Sequence, residues 1–209
     1  MTSNGFVRAA VTIALYVFAA TLIITGQPFN STLRIAGAAS STVPLALIAF
    51  ESWAWRLGPI QRLPFHPVPD LRGTWEGQLK SSFPNTDGSD REPIETYIVV
   101  RQSFFRISVR QFTKESSSKL VSGSLCRESD GAMYLHAVYE NEPDIPHREH
   151  SQMHHGSFIY AIEGRPVTRL RGKYWTDRTT IGHALFDRRL KKECHSFDEA
   201  RAAFTDGGT

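Results

Sequence analysis

Two apolar stretches without acidic residues open the chain. From Phe6 to Thr25 only Arg8 is charged, and about 20 mostly apolar residues are enough to cross the hydrocarbon core of a bilayer. A second stretch, Ile35–Phe50, carries no charge and is followed by Trp53 and Trp55, which is where an aromatic belt at the membrane interface would lie. The pattern predicts two transmembrane helices.

We expect these helices at about residues 6–25 and 33–55, within a first domain of residues 1–56. A cleaved secretion signal over residues 1–25 is the main rival interpretation. Its basic region would consist of Arg8 alone, and a second apolar segment would follow it directly. The sequence therefore favours a two-pass membrane anchor.

Positive charges set the expected orientation of this anchor. Arg56 and Arg62 follow the second apolar stretch, whereas the turn between the stretches has no Lys or Arg before Arg34. Because basic residues favour the cytoplasmic side, both termini and the rest of the chain are expected in the cytoplasm.

Residues 57–70 form a predicted linker. Four prolines, Pro59, Pro64, Pro67 and Pro69, disfavour a helix and favour an extended strut.

Beyond the linker the hydrophobic period changes from helical to alternating. Phe105, Ile107 and Val109 alternate with polar residues, and Asp130-Gly131 is a typical hairpin turn. Runs of this kind, rich in β-branched and aromatic residues and separated by turn residues, predict eight strands. They are Thr74–Ser82, Ile94–Gln102, Phe104–Phe112, Lys119–Arg127, Ala132–Glu140, Ser157–Glu163, Thr168–Thr176 and Thr180–Arg189.

Eight antiparallel strands without an intervening helix favour an up-and-down barrel, because closure removes the exposed edges of a sheet. A β-sandwich is the alternative architecture. The sequence Ser196-Phe197-Asp198-Glu199 is a capping box before several alanines and predicts a short C-terminal helix. The chain is therefore expected to be a membrane-anchored all-β protein.

Charge and cysteine content limit the classes of partner. Residues 1–63 hold four arginines against one glutamate, and the remaining residues hold 20 Lys and Arg against 20 Asp and Glu. A domain with no net charge is a poor match for a polymeric nucleic acid, although a few arginines can still bind a small anion.

The chain has two cysteines, Cys126 and Cys194. So few cysteines are typical of a protein in a reducing compartment, and a single disulfide between the two is the alternative.

Two sequence motifs, together with the N-terminal layout, resemble a known family. The first is Leu71-Arg72-Gly73-Thr74-Trp75-Glu76-Gly77, whose Gly-x-Trp is how lipocalin-like barrels begin. The second is Leu170-Arg171-Gly172-Lys173-Tyr174-Trp175-Thr176-Asp177-Arg178. In this combination the chain resembles the two-transmembrane β-barrel effectors of bacterial cyclic-oligonucleotide antiphage systems, CBASS.

The resemblance implies a function that is not enzymatic and that uses no cofactor. Residues 71–209 would form an eight-stranded lipocalin-like barrel that binds a cyclic dinucleotide in the cytoplasm. Binding would drive homo-oligomerisation, and the two helices would then disrupt the inner membrane and kill the cell. The partners implied are a cyclic dinucleotide, the lipid bilayer and further copies of the chain.

A cyclic dinucleotide offers two bases for stacking and two phosphates for guanidinium groups. Aromatic and arginine residues of the predicted strands are therefore the candidate ligand-binding residues. They are Trp75, Tyr97, Arg101, Tyr139, Tyr174, Trp175 and Arg178. Core packing is the preferred interpretation of Trp75, with ligand binding as the alternative. An Asp177–Arg178 ion pair that fixes a hairpin is as good an interpretation as phosphate binding. Tyr174 and Trp175 point to opposite faces, so at most one of them can enter the interior. Arg106 and Arg110 share their strand face with Ser108, which indicates a solvated outer wall.

Two other functions stay open at this point. One is a membrane-tethered, lipocalin-like carrier of a small apolar ligand. The other is a hydrolase centred on the segment from Glu140 to His155, which holds four of the chain's eight histidines together with four acidic residues. Pro143 and Pro146 make this segment a loop without the ligand spacing of a known metal site, so a solvated polar loop is the preferred interpretation and no metal ligand is assigned.

Overall fold

The structure is a computed structural model that divides into two compact units. One unit comprises Met1–His66 with Ser103–Arg106, and the other comprises Pro67–Gln102 with Ile107–Thr209. The residues it describes are 12–16, 19–20, 43, 45–61, 68–82, 92–149 and 151–206.

The first unit is helical where it is described. Residues 12–16 and 45–52 are α-helical, a 3₁₀ turn covers Ala54–Arg56, and a short helix at Gly58–Gln61 lies within the predicted linker. Among the described residues, no helix has both the length and the apolar character that a bilayer crossing requires. Most of the two predicted transmembrane spans lies outside the described residues, so both remain predictions.

Phe104 is the centre of an aromatic cluster in this first unit. Its ring lies 5.0 Å from the ring of Phe50, 6.3 Å from Trp55 and 4.8 Å from Phe105. The Phe104 backbone N–H also donates a hydrogen bond to the Glu51 carbonyl oxygen at 3.0 Å. Residues 103–106 connect two strands of the second unit, so the tip of this hairpin is packed among helical residues.

The second unit is a closed antiparallel barrel in which the strands follow one another in chain order. The strands are β1 (Gly73–Ser81), β2 (Ile94–Gln102), β3 (Ile107–Phe112), β4 (Ser116–Arg127), β5 (Met133–Pro143), β6 (His154–Glu163), β7 (Arg169–Thr176) and β8 (Ile181–Leu190). Pairing of β8 with β1 closes the sheet. The predicted eight-stranded barrel is confirmed, and the closed order rules out the sandwich.

Strand boundaries differ from the prediction by three residues in four places, one of which is the end of β5 at Pro143 instead of Glu140. Phe104–Arg106, predicted as the start of a strand, is a turn, because Ser103 and Arg106 already close the hairpin with a backbone hydrogen bond. β4 begins at Ser116 and β6 at His154, three residues before the predicted starts. Both extensions consist of polar residues that a hydrophobic pattern does not mark, and the neighbouring β5 supplies their ladder partners.

Side chains of alternate residues fill the barrel interior. The register places Trp75, Ile98, Val109, Leu135 and Phe158 on the inner face, where all are buried. The predicted alternation of β3 is thus confirmed for Ile107 and Val109, which face inward, and for Ser108 and Arg110, which face outward. Phe105 instead lies in the turn and is 37% exposed.

The predicted C-terminal helix is confirmed at Phe197–Asp206. The Ser196 hydroxyl accepts a hydrogen bond from the Glu199 backbone N–H at 3.2 Å, and the Glu199 carboxylate accepts one from the His195 N–H at 2.8 Å. The helix packs its buried Phe204 against the outer face of β2. Both cysteines are free thiols.

Candidate functional site

The two ends of the barrel are built differently. We call "the base" the end at which β1 starts, next to Leu71, and "the mouth" the end at which β1 finishes, next to Ser81. β5 and β7 also finish at the mouth, with Pro143 and Thr176. Each end is described in turn.

Trp75 closes the base. Its indole N–H donates a hydrogen bond to the Leu71 carbonyl oxygen at 2.8 Å, and the Arg189 guanidinium lies 5.1 Å from its ring centroid. Arg189 in turn donates hydrogen bonds to the Arg72 and Asp70 carbonyl oxygens, both at 2.9 Å. Burial lowers the pKa of Arg189, and the nearby Asp70 carboxylate opposes that shift. Every polar group here binds another part of the chain, which is the arrangement of a structural plug.

Aromatic rings continue from the middle of the barrel toward the mouth. Phe186, Tyr160, Phe158 and Tyr139 form this aromatic column, and the Phe158 and Tyr160 rings are stacked with their centroids 4.2 Å apart. A void beside Phe158 and Tyr139 measures only about 10 Å³, roughly the space of one water molecule. Side chains therefore fill the barrel interior beside Phe158.

Tyr139 and Tyr174 form the top of the interior at the mouth, and each ring lies across a glycine of the next strand. Tyr139 pairs with Gly156, and Tyr174 pairs with Gly182. A methyl group on Gly156 would overlap the Tyr139 ring, and one on Gly182 would lie 2.6 Å from a ring carbon of Tyr174. The missing Cβ atoms therefore allow both rings to lie flat against the wall.

Burial is the main reason why the pKa of Tyr139 is raised well above its usual value. Tyr174 and Asp177 raise it further, which shows that these three groups are close to one another. At neutral pH the Tyr139 ring is therefore an uncharged aromatic surface. A flat neutral ring is the surface on which a nucleobase stacks.

Two hydrogen-bonded polar pairs share the mouth end of the interior. The Gln111 side-chain amide donates to the Thr96 hydroxyl at 2.9 Å, and the Ser118 hydroxyl donates to the Asn141 side-chain carbonyl at 2.8 Å. These residues lie on four successive strands, β2 to β5. The upper interior therefore offers amide and hydroxyl groups, whereas the middle of the barrel is apolar.

Arg178 lies at the rim of the mouth, in the turn between β7 and β8. Its guanidinium donates hydrogen bonds to the Ser151 hydroxyl at 3.1 Å and the Gln152 carbonyl oxygen at 3.2 Å, and it lies 3.4 Å from His154 Nδ1. The adjacent Asp177 carboxylate accepts a hydrogen bond from the His155 backbone N–H at 3.0 Å. These bonds fix the turn to the start of β6 and hold an exposed cation at the same end of the barrel as the two tyrosines.

Tyr97 and Arg101 share the outer face of β2, as the alternation predicts. Tyr97 is fully buried beneath the C-terminal helix, with its ring 5.6 Å from that of Phe204. Arg101 is exposed and forms an ion pair with Glu193 at 2.8 Å. It lines an outer groove of about 290 Å³. The groove's other lining residues are Val99, Ser108, Arg110, Phe112, Cys194 and His195.

Trp175 also lies on the outer face, opposite to Tyr174. The ladder places Val138, Ser157, Trp175 and Ile181 side by side across β5 to β8. Val138 is 43% exposed, Trp175 40% and Ile181 59%. We call these four residues the apolar row. It carries no charge and extends over four strands of the barrel wall.

The histidine-containing loop forms isolated polar contacts. Arg148 forms an ion pair with Glu142 at 2.9 Å, and His155 lies 3.9 Å from Asp177. Within the described part of the chain, no three His, Cys, Asp or Glu side chains converge as metal ligands would.

Of the seven candidate ligand-binding residues, the structure brings together three at the mouth: Tyr139, Tyr174 and Arg178. Trp75 lies at the base, and the other three are on the outer face. Ligand binding by any of the seven remains a prediction. The interior polar residues Thr96, Gln111, Ser118 and Asn141 and the groove residue His195 were not singled out, since their types are common and only the register brings them together. Arg110 lies on the outer face, as the sequence indicated.

Comparison with known proteins identifies the family. No curated protein matches the chain. The family model for "Cap15, cyclic dinucleotide receptor domain" matches residues 66–188, a segment that contains both motifs on which the resemblance to CBASS effectors was based. Because this match covers more than half of the chain, the chain belongs to the Cap15 family of CBASS effectors.

Proposed function

We propose that this protein is an antiphage defence effector whose barrel binds a cyclic dinucleotide at the mouth. On binding, the protein assembles into homo-oligomers, and its N-terminal segments disrupt the bacterial inner membrane and kill the cell. The barrel would lie in the cytoplasm, where a second messenger made during infection is present. The protein would act as a binding effector and catalyse no reaction.

The observation that carries the binding proposal is that Tyr139, Tyr174 and Arg178 all lie at the mouth, the end of the barrel opposite to the Trp75 plug. The two rings offer aromatic surfaces at about 1–3 kcal/mol per stacked base. Arg178 offers a guanidinium for a phosphate, and the polar pairs around Gln111 and Asn141 offer hydrogen bonds to base edges. The family match to a cyclic dinucleotide receptor domain supports the same ligand class.

A binding assay on the full chain with a panel of cyclic dinucleotides tests this proposal. A ligand at 100 times its Kd adds about 2.7 kcal/mol to stability, so the true ligand should raise the Tm clearly. Tyr174→Leu and Arg178→Ala should each weaken binding at least tenfold.

Arg110→Ala is the matched control, because it removes an exposed arginine from the outer groove instead of the rim. Its affinity should stay within twofold of the wild type. If Arg110→Ala abolishes binding while Arg178→Ala does not, the ligand binds in the outer groove and the mouth assignment is wrong.

The apolar row supports the assembly part of the proposal. Exposed apolar residues that adjoin across several strands are typical of protein interfaces, and tryptophan is over-represented among the residues that dominate their energy. Ile181→Asp should therefore reduce ligand-induced oligomers and cell killing while ligand binding persists. Ile145→Asp is the matched control, since Ile145 is also strongly exposed but lies in the loop after β5. Equal effects of the two changes would contradict a role of the row in assembly.

A further inference from the structure

The barrel wall is incomplete between β3 and β4. These strands pair only near the mouth, over three residue pairs from Arg110–Lys119 to Phe112–Ser117. β4 nevertheless continues to Arg127 and pairs with β5 along its whole length. Among the described residues, β4 from Val121 onward therefore has a strand partner on one side only. We call Val121–Cys126 the open edge.

The open edge is accessible to solvent. Val121 is 57% exposed, and Ser122, Gly123 and Ser124 are also exposed. Gly123 is informative because it has no side chain, so its exposure is that of the backbone. It pairs with Ala137 on the inner-facing side of the sheet, and an inner-facing residue can be exposed only where the neighbouring strand is absent.

The sequence of the open edge lacks the features that normally protect such edges. Natural edge strands carry Lys, Pro or inward-pointing charges that prevent pairing with another chain. The open edge reads Val-Ser-Gly-Ser-Leu-Cys and has neither a charge nor a proline within it, although a bulge precedes it at Leu120 and the charged Arg127 follows it. An extended row of backbone N–H and C=O groups is complemented best by another strand.

We propose that the open edge pairs with the open edge of a second copy of this chain, antiparallel about a two-fold axis at Ser124. In this register Gly123 lies opposite Leu125 of the second copy, so a missing side chain accommodates a large one on the inner face. On the outer face, Ser124 meets its own counterpart and Ser122 meets Cys126. All of these pairs are small or complementary in size, and no like charges oppose one another.

The open edge begins beside the proposed ligand site. The β4–β5 ladder shifts register between Leu120 and Ser122, and Leu120 pairs with Tyr139. Tyr139 is therefore directly opposite Leu120, the residue at which β4 separates from β3. A ligand that stacks on Tyr139 would bind next to the start of the open edge. This inference rests on the proposed function, to which it adds the partner strand and the register of assembly.

Cysteine crosslinking of the full chain tests the register. In a Cys126→Ser background, Ser124→Cys should form an intermolecular disulfide under mild oxidation when the cyclic dinucleotide is present. Ser117→Cys in the same background is the matched control, because β4 is paired on both sides at Ser117. Crosslinking at Ser124 at least tenfold above that at Ser117 is expected, and equal yields at the two positions would overturn the proposal.

Blocking the edge gives a second test that does not depend on a disulfide. Ser124→Lys places two ammonium groups face to face at the axis and should lower ligand-induced assembly at least tenfold, whereas Ser117→Lys should not. Ligand affinity, measured at a protein concentration too low for assembly, serves as the measure of folding and should match the wild type in both variants. In the wild type, amide hydrogen exchange of residues 121–126 should slow on assembly.

The results separate the two proposals. If no cyclic dinucleotide binds the wild type, the proposed function fails. If the ligand binds and Ser124→Lys still assembles normally, or residues 121–126 gain no protection on assembly, the open edge is not the interface while the proposed function stands.

Discussion

The base and the mouth of the barrel both use aromatic side chains, but they hold them by different means. At the base, Trp75 is bound through its indole N–H and covered by Arg189, which is itself bound to backbone carbonyl oxygens. At the mouth, Tyr139 and Tyr174 lie flat across glycines beneath a rim that carries Arg178. The same residue class therefore seals one end and leaves aromatic surfaces at the other. The comparison separates a structural use of an aromatic side chain from the proposed use in ligand binding.

The largest effect should follow from removing the plug at the base. Trp75→Ala leaves a large buried cavity and removes the partner of Arg189, so we expect a loss of about 3–5 kcal/mol in the free energy of unfolding. Denaturant titration of the full chain measures it. Trp175→Ala deletes the same side chain from the exposed apolar row and should cost under about 1 kcal/mol. Similar losses in both variants would contradict the assignment of Trp75 as the plug.

A smaller loss of stability, accompanied by a large loss of binding, should follow from crowding the mouth. Gly156→Ala places a methyl group where the Tyr139 ring lies, and overpacking of this kind costs about 1–3 kcal/mol. Because the ring must move, cyclic dinucleotide affinity should fall at least tenfold by titration calorimetry.

Gly58→Ala is the control for the glycine change itself, since a Cβ atom at Gly58 meets nothing within 4 Å. It should leave both stability and affinity close to the wild type. Unchanged affinity in Gly156→Ala would show that the Tyr139 ring is not part of the ligand site.

The smallest effect should appear in the dependence of stability on alkaline pH. Burial raises the pKa of Tyr160 and of Tyr139 above that of an unfolded tyrosine, about 10. Above pH 10 the unfolded chain loses these protons while the folded chain retains them, so stability falls as pH rises. Each tyrosine contributes up to about 1.4 kcal/mol per pH unit.

Tyr160→Phe should therefore flatten the decline of the denaturant midpoint between pH 10 and 11. The same variant measured at pH 7 controls for any change in packing. An unaltered slope would mean that Tyr160 ionises in the folded protein as easily as in the unfolded one.

The strands could be predicted from the sequence because successive side chains of a half-buried strand alternate between the apolar and the polar face. Seven of the eight predicted segments overlap the observed strands almost completely, and the capping box at Ser196 correctly placed the C-terminal helix. The prediction failed at Phe104–Arg106, where a hydrophobic pair continues the pattern into a turn. Those two phenylalanines pack in the other unit, and local alternation carries no information about such a partner.

Candidate site residues were harder to predict than strands. Alternation correctly placed Tyr174 and Trp175 on opposite faces of their strand, and Tyr97 and Arg101 on the same face of theirs. It did not say which of the two faces lines the barrel interior. The side of the sheet on which Tyr97 lies, and the helix that covers it, follow from packing between residues about 100 positions apart. Residue type therefore suggested the candidates, and their grouping needed the register.

By itself, the sequence determined the eight strand segments, the C-terminal helix and the family, because alternation, capping and motifs are local properties of the chain. Only the tertiary structure decided that Trp75 seals the base, that Tyr139 and Tyr174 face the mouth, and that β4 has an open edge. Alternation with period two places neighbouring residues on opposite faces of the strand, but it does not say which face is the inner one. Closure of the barrel removes that symmetry, since it fixes the strand register and with it the inner face.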